Sequence, residues 1–215
     1  MLALELPSTS APLKILCLGS HSDDIEIGCG GTILRLLSQN RNIEVVWVVF
    51  SSSKDREQEA RTSAAVFLEH AAKKEVIVSD FRDGFFPFDG TRVKDFLEGF
   101  KPVSPDVIFT HHRKDAHQDH RLIAELTWNT FRDHLIMEYE IPKYDGDLGQ
   151  PNLFVPLEKE TYQQKVKCLI DGFPSQRSKR WFEQETFLAL MRLRGMECVA
   201  PSGYAEAFHC RKLVL

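Results

Sequence analysis

Short apolar runs alternate along the chain with longer amphipathic stretches. The run Lys14-Ile-Leu-Cys-Leu18 ends at Gly19 and has the length and character of a buried strand. Glu44-Val-Val-Trp-Val-Val-Phe50 is β-branched and aromatic and predicts a second strand, Val76-Ile-Val78 a third, Asp106–Thr110 a fourth and Leu135–Tyr139 a fifth. Between them, helical spacing of apolar positions is found over 28–37 after a glycine-rich opening, and again over 55–70, 91–100 and 119–133. The last third differs: 158–171 and 179–194 predict two long polar helices, and Tyr204–Cys210 a closing strand. The segment Ile141–Pro156, rich in Pro, Gly and Asp, predicts a loop over one end of the sheet.

Strands and helices alternating at this spacing imply βαβ units. The expected fold is α/β, a three-layer αβα sandwich around a mainly parallel, Rossmann-like sheet. Residues 1–12 form a polar, proline-flanked arm, expected to be flexible, and 13–215 a single domain. A formal charge of −4 leaves no basic footprint and argues against nucleic acid as a partner. The five cysteines are scattered, with no Cys-x-x-Cys pair, which fits reduced thiols. No signal-peptide pattern and no long apolar run occur, so no permanent membrane anchor is expected and the expected setting is the cytoplasm. Homo-oligomerisation is the base-rate expectation.

Two clusters of acids and histidines stand just past the carboxyl ends of predicted strands. Gly19-Ser-His21-Ser-Asp23-Asp24-Ile-Glu26 follows the first, and His111-His112-Arg-Lys-Asp115-Ala-His117-Gln-Asp119-His120 follows the fourth. Open α/β sheets bind ligands outside the carboxyl ends of their strands, so both clusters can face one crevice. Two histidines and a carboxylate are the donors common to catalytic zinc, with a fourth position left for water. Spare carboxylates and a spare histidine beside them suit proton transfer and stabilisation of an oxyanion. Taken singly, an Asp-Asp pair after a strand is more often a cap or turn. Together, the two clusters favour chemistry.

These residues resemble the zinc-dependent PIG-L/LmbE-like de-N-acetylases. His21-Ser-Asp-Asp24, Glu26 and Gly28-Cys-Gly-Gly-Thr32 are similar to that family's His-Pro-Asp-Asp-x-Glu-x-Gly-x-Gly-Gly signature, and His117-Gln-Asp-His120 to its His-x-Asp-His motif. Arg56-x-x-Glu59 and Tyr204–Phe208 extend the resemblance to nearly the whole chain. Ser22 replaces the usual proline and removes no reacting group. The resemblance implies an LmbE-like domain that hydrolyses the acetamide of an N-acetylated amino sugar of the N-acetylglucosamine type. It further implies zinc on His21, Asp24 and His120, Asp23 as general base, and His117 as oxyanion stabiliser and proton donor. Asp119 would orient a histidine, and Arg56 would contact substrate.

Residue chemistry alone leaves iron or manganese open as the metal. A metallohydrolase of another bond and a non-catalytic sugar- or metal-binding protein are the rival readings. Asp115 is divided between a substrate contact and a turn. His111 and His112 are divided between the mouth of the site and ordinary loop positions, whereas His70, His134 and His209 are expected at the surface or in packing. The glycines at 28, 30 and 31 lack the dinucleotide-binding spacing and are expected to ease a helix start. Phe81 and Phe85-Phe-Pro-Phe88 are expected mainly in the core, and Ser51–Ser53 in a turn capping the next helix.

Overall fold

The computed structural model describes residues 11–214, so the expected N-terminal arm falls almost wholly outside the described residues. Five strands are parallel: β1 (Leu13–Gly19), β2 (Ile43–Val49), β3 (Lys73–Val78), β4 (Val107–His111) and β5 (Leu135–Tyr139). They alternate with helices α1 (Asp24–Gln39), α2 (Lys54–Phe67), α3 (Gly90–Glu98) and α4 (Gln118–Thr130). Then follow β6 (Leu153–Pro156), α5 (Lys159–Gly172), α6 (Gln184–Glu197) and β7 (Ala205–Cys210). The seven-stranded sheet runs β3-β2-β1-β4-β5-β7-β6, with β7 antiparallel to both its neighbours. No described helix is long and apolar enough to cross a membrane.

Successive residues of a strand point to opposite faces, so a strand covered on both sides must be apolar throughout. In β1, Ile15 and Cys17 enter one core with Trp47, Phe67, Phe109 and Phe208, while Leu16 and Leu18 enter the other with Phe50, Phe86 and Phe131. The chain passes from β1 to β2 on one side and later returns to β4 on the other. The carboxyl ends of β1 and β4 therefore flank the point where strand order reverses, where such sheets open a crevice.

Three expectations change. Leu153–Pro156 is strand β6, where a continuous loop is expected over 141–156; four residues bounded by prolines are too short to show a period, and pairing with β7 decides them. The final long helix is shifted, to Gln184–Glu197 rather than 179–194. The glycines do not open a helix: α1 begins at Asp24, with Asp24 and Glu26 in its first turn, where acids suit the helix dipole. The glycines serve close approach instead. A Cβ on Gly28 would lie 2.2 Å from the Tyr139 ring, and one on Gly31 would lie 2.6 Å from Leu157 and 2.9 Å from Glu206.

That approach lets a buried ion pair dock onto α1. Glu206 accepts from the N–H groups of Gly31 and Thr32, while Lys165 lies 2.5 Å from Glu206 and donates to the Ile27 carbonyl. Both side chains are only 3% exposed, so neither charge has water as an alternative partner. Lys165→Met strands the carboxylate and is expected to cost about 3 kcal/mol or more, read from the urea midpoint. Adding Glu206→Gln to Lys165→Met is expected to recover part of that loss. Equal midpoints for wild type and Lys165→Met would contradict the assignment.

Candidate active site

The turn from β1 into α1 places His21, Asp23 and Asp24, and the turn from β4 into α4 places Asp115, His117, Asp119 and His120. The Ser20 N–H donates to His111 Nε2 at 2.9 Å, tying one turn to the end of the other strand. His21 Nδ1 and His120 Nε2 are 3.2 Å apart, and Asp24 Oδ2 lies 3.4 Å from the first and 3.5 Å from the second. Three donor atoms thus face one another across the two turns. Around a tetrahedral ion with ligand bonds of ~2.0–2.1 Å, donor atoms stand ~3.3–3.4 Å apart. The triangle fits such an ion without rearrangement.

Each corner is held from behind. His120 Nδ1 is 2.9 Å from Asp115 Oδ2, so the ring proton belongs on Nδ1 and the Nε2 lone pair faces the triangle. His21 Nε2 lies 3.0 Å from Asp83 and 3.4 Å from Asp119. Asp119 is fully buried and accepts from the N–H groups of Gly84 (2.6 Å) and Phe86 (3.1 Å), which fixes the loop that carries Asp83. Asp24 Oδ2 also accepts from the His21 N–H at 2.6 Å.

Asp23 lies next along the chain and is buried. Its Oδ1 accepts from Arg56 Nη2 at 2.6 Å, whereas its Oδ2 has no hydrogen-bond partner. Arg56, expected to touch substrate, is thus engaged with the expected base. His117 caps α4: its Nδ1 accepts from the Asp119 N–H at 3.2 Å, which leaves the proton of the neutral ring on Nε2. Its ring centroid stands 4.6 Å from that of His120 and 4.9 Å from that of His21.

The electrostatics follow from burial and from three imidazoles around one carboxylate. Burial works to raise the Asp24 pKa, but His120, His111 and His21 outweigh it and hold the group well below its usual range. Burial works to lower that of His21, yet Asp24, Asp119 and Asp83 carry it well above 6.5. Burial raises Asp23 against the opposing pull of Arg56, and burial first, then neighbouring imidazoles, lowers both His117 and His120. Asp83, beside His21, is drawn down to about 2.

All eight residues singled out from the sequence lie in this one network. Asp115 reaches the crevice through His120: it is 3% exposed, and its Oδ1 accepts from the His117 N–H at 2.8 Å and meets Lys143 at 3.0 Å. His111 is wholly buried, stacks on His120 with centroids 3.9 Å apart, and sets Nε2 3.2 Å from Asp24 Oδ2. The expected strand stops at Thr110, whereas β4 includes His111 and turns it inward; its neighbour His112 points away and meets Glu138 at 2.8 Å. Asp83 carried no signal, standing alone between the clusters. Phe81 and Phe86 enter the core while Phe88 is 83% exposed, and Ser53 caps α2. A small pocket lined by Gly28, Lys165, Met191, Arg194 and Glu206 shares no residue with the cluster.

Fold and site together define a doubly wound α/β protein with a buried histidine–carboxylate centre at its switch point. The model of the family "PIG-L: GlcNAc-PI de-N-acetylase" matches residues 16–131, more than half of the chain, and the protein belongs to that family. It is 26% identical over 176 residues to the "Uncharacterized deacetylase YaiS" of Escherichia coli K12, covering 76% of this chain and 92% of that one. Among solved structures, N,N'-diacetylchitobiose deacetylase from Pyrococcus horikoshii superposes with a TM-score of 0.70 at 20% identity, covering 92% of this chain and 83% of that one. GalB, the 4-carboxy-2-hydroxymuconate hydratase of Pseudomonas putida KT2440, does so with 0.74 at 16%, covering 94% and 98%. At these identities the structures establish a shared fold.

Beside the crevice, Glu138 is held below the usual glutamate range: burial opposes this, but His112, the Arg113 N–H and Trp128 outweigh it. A depressed folded-state pKa contributes stability above the unfolded value of 4.5 and loses it as pH falls through the folded one. Glu138→Gln is therefore expected to cost about 2 kcal/mol at pH 7, with the gap to wild type closing below pH ~4.5. Urea titrations at both pH values check it; a gap that widens on acidification would reverse the sign.

Proposed function

We propose that the protein is a metal-dependent de-N-acetylase that removes the acetyl group from an N-acetylated amino sugar of the N-acetylglucosamine type. The observation that carries this reading is the triangle of His21 Nδ1, Asp24 Oδ2 and His120 Nε2, with a buried carboxylate oxygen of Asp23 left free beside it. A site that only bound a sugar or an ion would not need that spare base. Family membership and the deacetylase relative support the reaction type.

His21, Asp24 and His120 would hold the cation. Two imidazoles and one carboxylate suit zinc, and the same donors accept iron or manganese. When bound, such an ion acidifies water and polarises a carbonyl. Asp23 takes the proton from the attacking water: burial raises its proton affinity, Arg56 opposes that rise, and the tie to Arg56 turns the carboxylate so that one oxygen remains available. The water oxygen bonds to the acetamide carbon, and the proton on His117 Nε2 stabilises the oxyanion. As the C–N bond breaks, that proton, or the one held by Asp23, passes to the departing nitrogen, giving acetate and a free amine. Asp119 sets the capping geometry that leaves His117 with its Nε2–H outward.

The fold alone does not choose the bond, since a hydratase shares it. The partner is accordingly proposed from the site as a small-molecule amino sugar. The zinc-loaded protein is expected to release acetate from N-acetylglucosamine conjugates, and Asp23→Asn to lower kcat by about 10²–10⁴-fold with zinc affinity largely kept. An Asp23→Asn enzyme as fast as wild type would refute the assigned base, and absence of acetate from every conjugate would refute the reaction.

A further inference from the structure

The segment between β5 and β6 supplies nothing to the proposed reaction, yet it reaches the back of the donor triangle. It is closed at its base. Glu140 accepts from the Gly149 N–H at 2.9 Å and from Arg194 at 2.8 and 3.0 Å, and Arg194 also donates to the Gly149 carbonyl at 3.1 Å. Between these anchors the side chains sort by direction against their polarity. Tyr144 and Leu148 are exposed, whereas the side chains of Lys143 and Asp147 are 10% and 12% exposed. A lysine in a surface loop ordinarily keeps its ammonium in water, because burying it is costly unless it is paired.

Here it is paired twice. Lys143 Nζ lies 2.5 Å from Asp147 Oδ2 and 3.0 Å from Asp115 Oδ1. Asp147 Oδ2 also accepts from the Ala116 N–H at 2.6 Å, on the same turn that carries His117 and His120. The other oxygen of Asp115 holds His120 Nδ1 at 2.9 Å. The contacts thus run unbroken from Asp147 through Lys143 and Asp115 to the imidazole whose far nitrogen faces His21 and Asp24.

We infer that Lys143 is a positioning residue: through Asp115 it fixes the His120 ring, and so makes the strength with which the crevice holds its cation depend on the 140–149 loop. This rests on the metal-site reading above. The physical reason is the freedom of a carboxylate. Held by the imidazole and the His117 N–H alone, the Asp115 carboxylate keeps some freedom to swing and let the ring tilt. Its Oδ1 is pinned by two donors, Lys143 and the His117 N–H, which leaves Oδ2 a single direction. Without Lys143, Asp115 and Asp147 become two buried carboxylates with no cation between them, and their repulsion turns Asp115 away from the geometry His120 needs.

Groups that orient a metal-binding histidine typically change metal affinity by 10–100-fold when removed. Metal-stripped wild type, Lys143→Met and Lys143→Arg are titrated with zinc against a chromophoric chelator, and the melting temperature of each metal-free protein is recorded. Lys143→Met is expected to bind zinc at least ~10-fold more weakly and, having lost the cation between two carboxylates, to melt somewhat below wild type when metal-free, and Lys143→Arg to restore most of both. A Lys143→Met protein that binds zinc as tightly as wild type overturns the inference, as does an arginine variant as weak as the methionine one. If Lys143→Met melts far below wild type, Lys143→Gln is judged by the same criterion. A His21→Ala/His120→Ala double variant with undiminished zinc affinity would instead refute the metal site itself, and the inference with it.

Discussion

Two imidazole nitrogens and a carboxylate oxygen brought within 3.5 Å of one another are the constraint around which the crevice is built. In water these groups would turn outward. Here the turns after β1 and β4 give them little room: Asp24 and His120 are buried, and Asp115 holds the His120 ring from behind while Asp83 and Asp119 stand beside His21. The arrangement gathers Asp24, Asp83 and Asp119 around His21, and the divalent cation proposed above would add positive charge at the spacing observed.

The rest of the molecule can be understood as support for that arrangement. The parallel sheet puts β1 beside β4, so residues 99 positions apart in sequence meet at one edge. Gly28 lets α1 lie against Tyr139, whose hydroxyl donates to the Leu18 carbonyl at the end of β1. Buried carboxylates do the finer work. Asp115 fixes one imidazole, Asp119 joins His21 to the Gly84–Phe86 loop, and Glu206 with Lys165 anchors α1 to β7. Each carboxylate is paired or hydrogen-bonded, which is what keeps a polar interior tolerable.

Much of this was legible in the residue pattern. The inner parallel strands declared themselves because strands covered on both faces are largely apolar. The edge strand β3 showed only its apolar end, Val76–Val78, because Lys73–Glu75 are exposed, and the two clusters declared themselves because each follows an inner strand. What the pattern did not show were contacts made by tertiary structure alone. β6 is too short to have a period and exists because β7 pairs with it. Asp83 and Lys143 sit in loops with no helical or strand register, so nothing local marks them as neighbours of His21 and Asp115. His111 was hidden differently: its burial depends on which way the last residue of β4 points, and a one-residue change in that register would have exchanged it with His112. The glycines of α1 read as a helix start because sequence shows where a side chain is missing but not which ring fills the space.

The most direct test of the account is anomalous diffraction at the zinc edge from crystals of the protein grown with zinc. The account predicts one strong peak ~2.0–2.1 Å from His21 Nδ1, His120 Nε2 and an oxygen of Asp24. A peak bound instead by His111 with Asp24 and His120 and leaving His21 free, or no peak between the two turns, would contradict it.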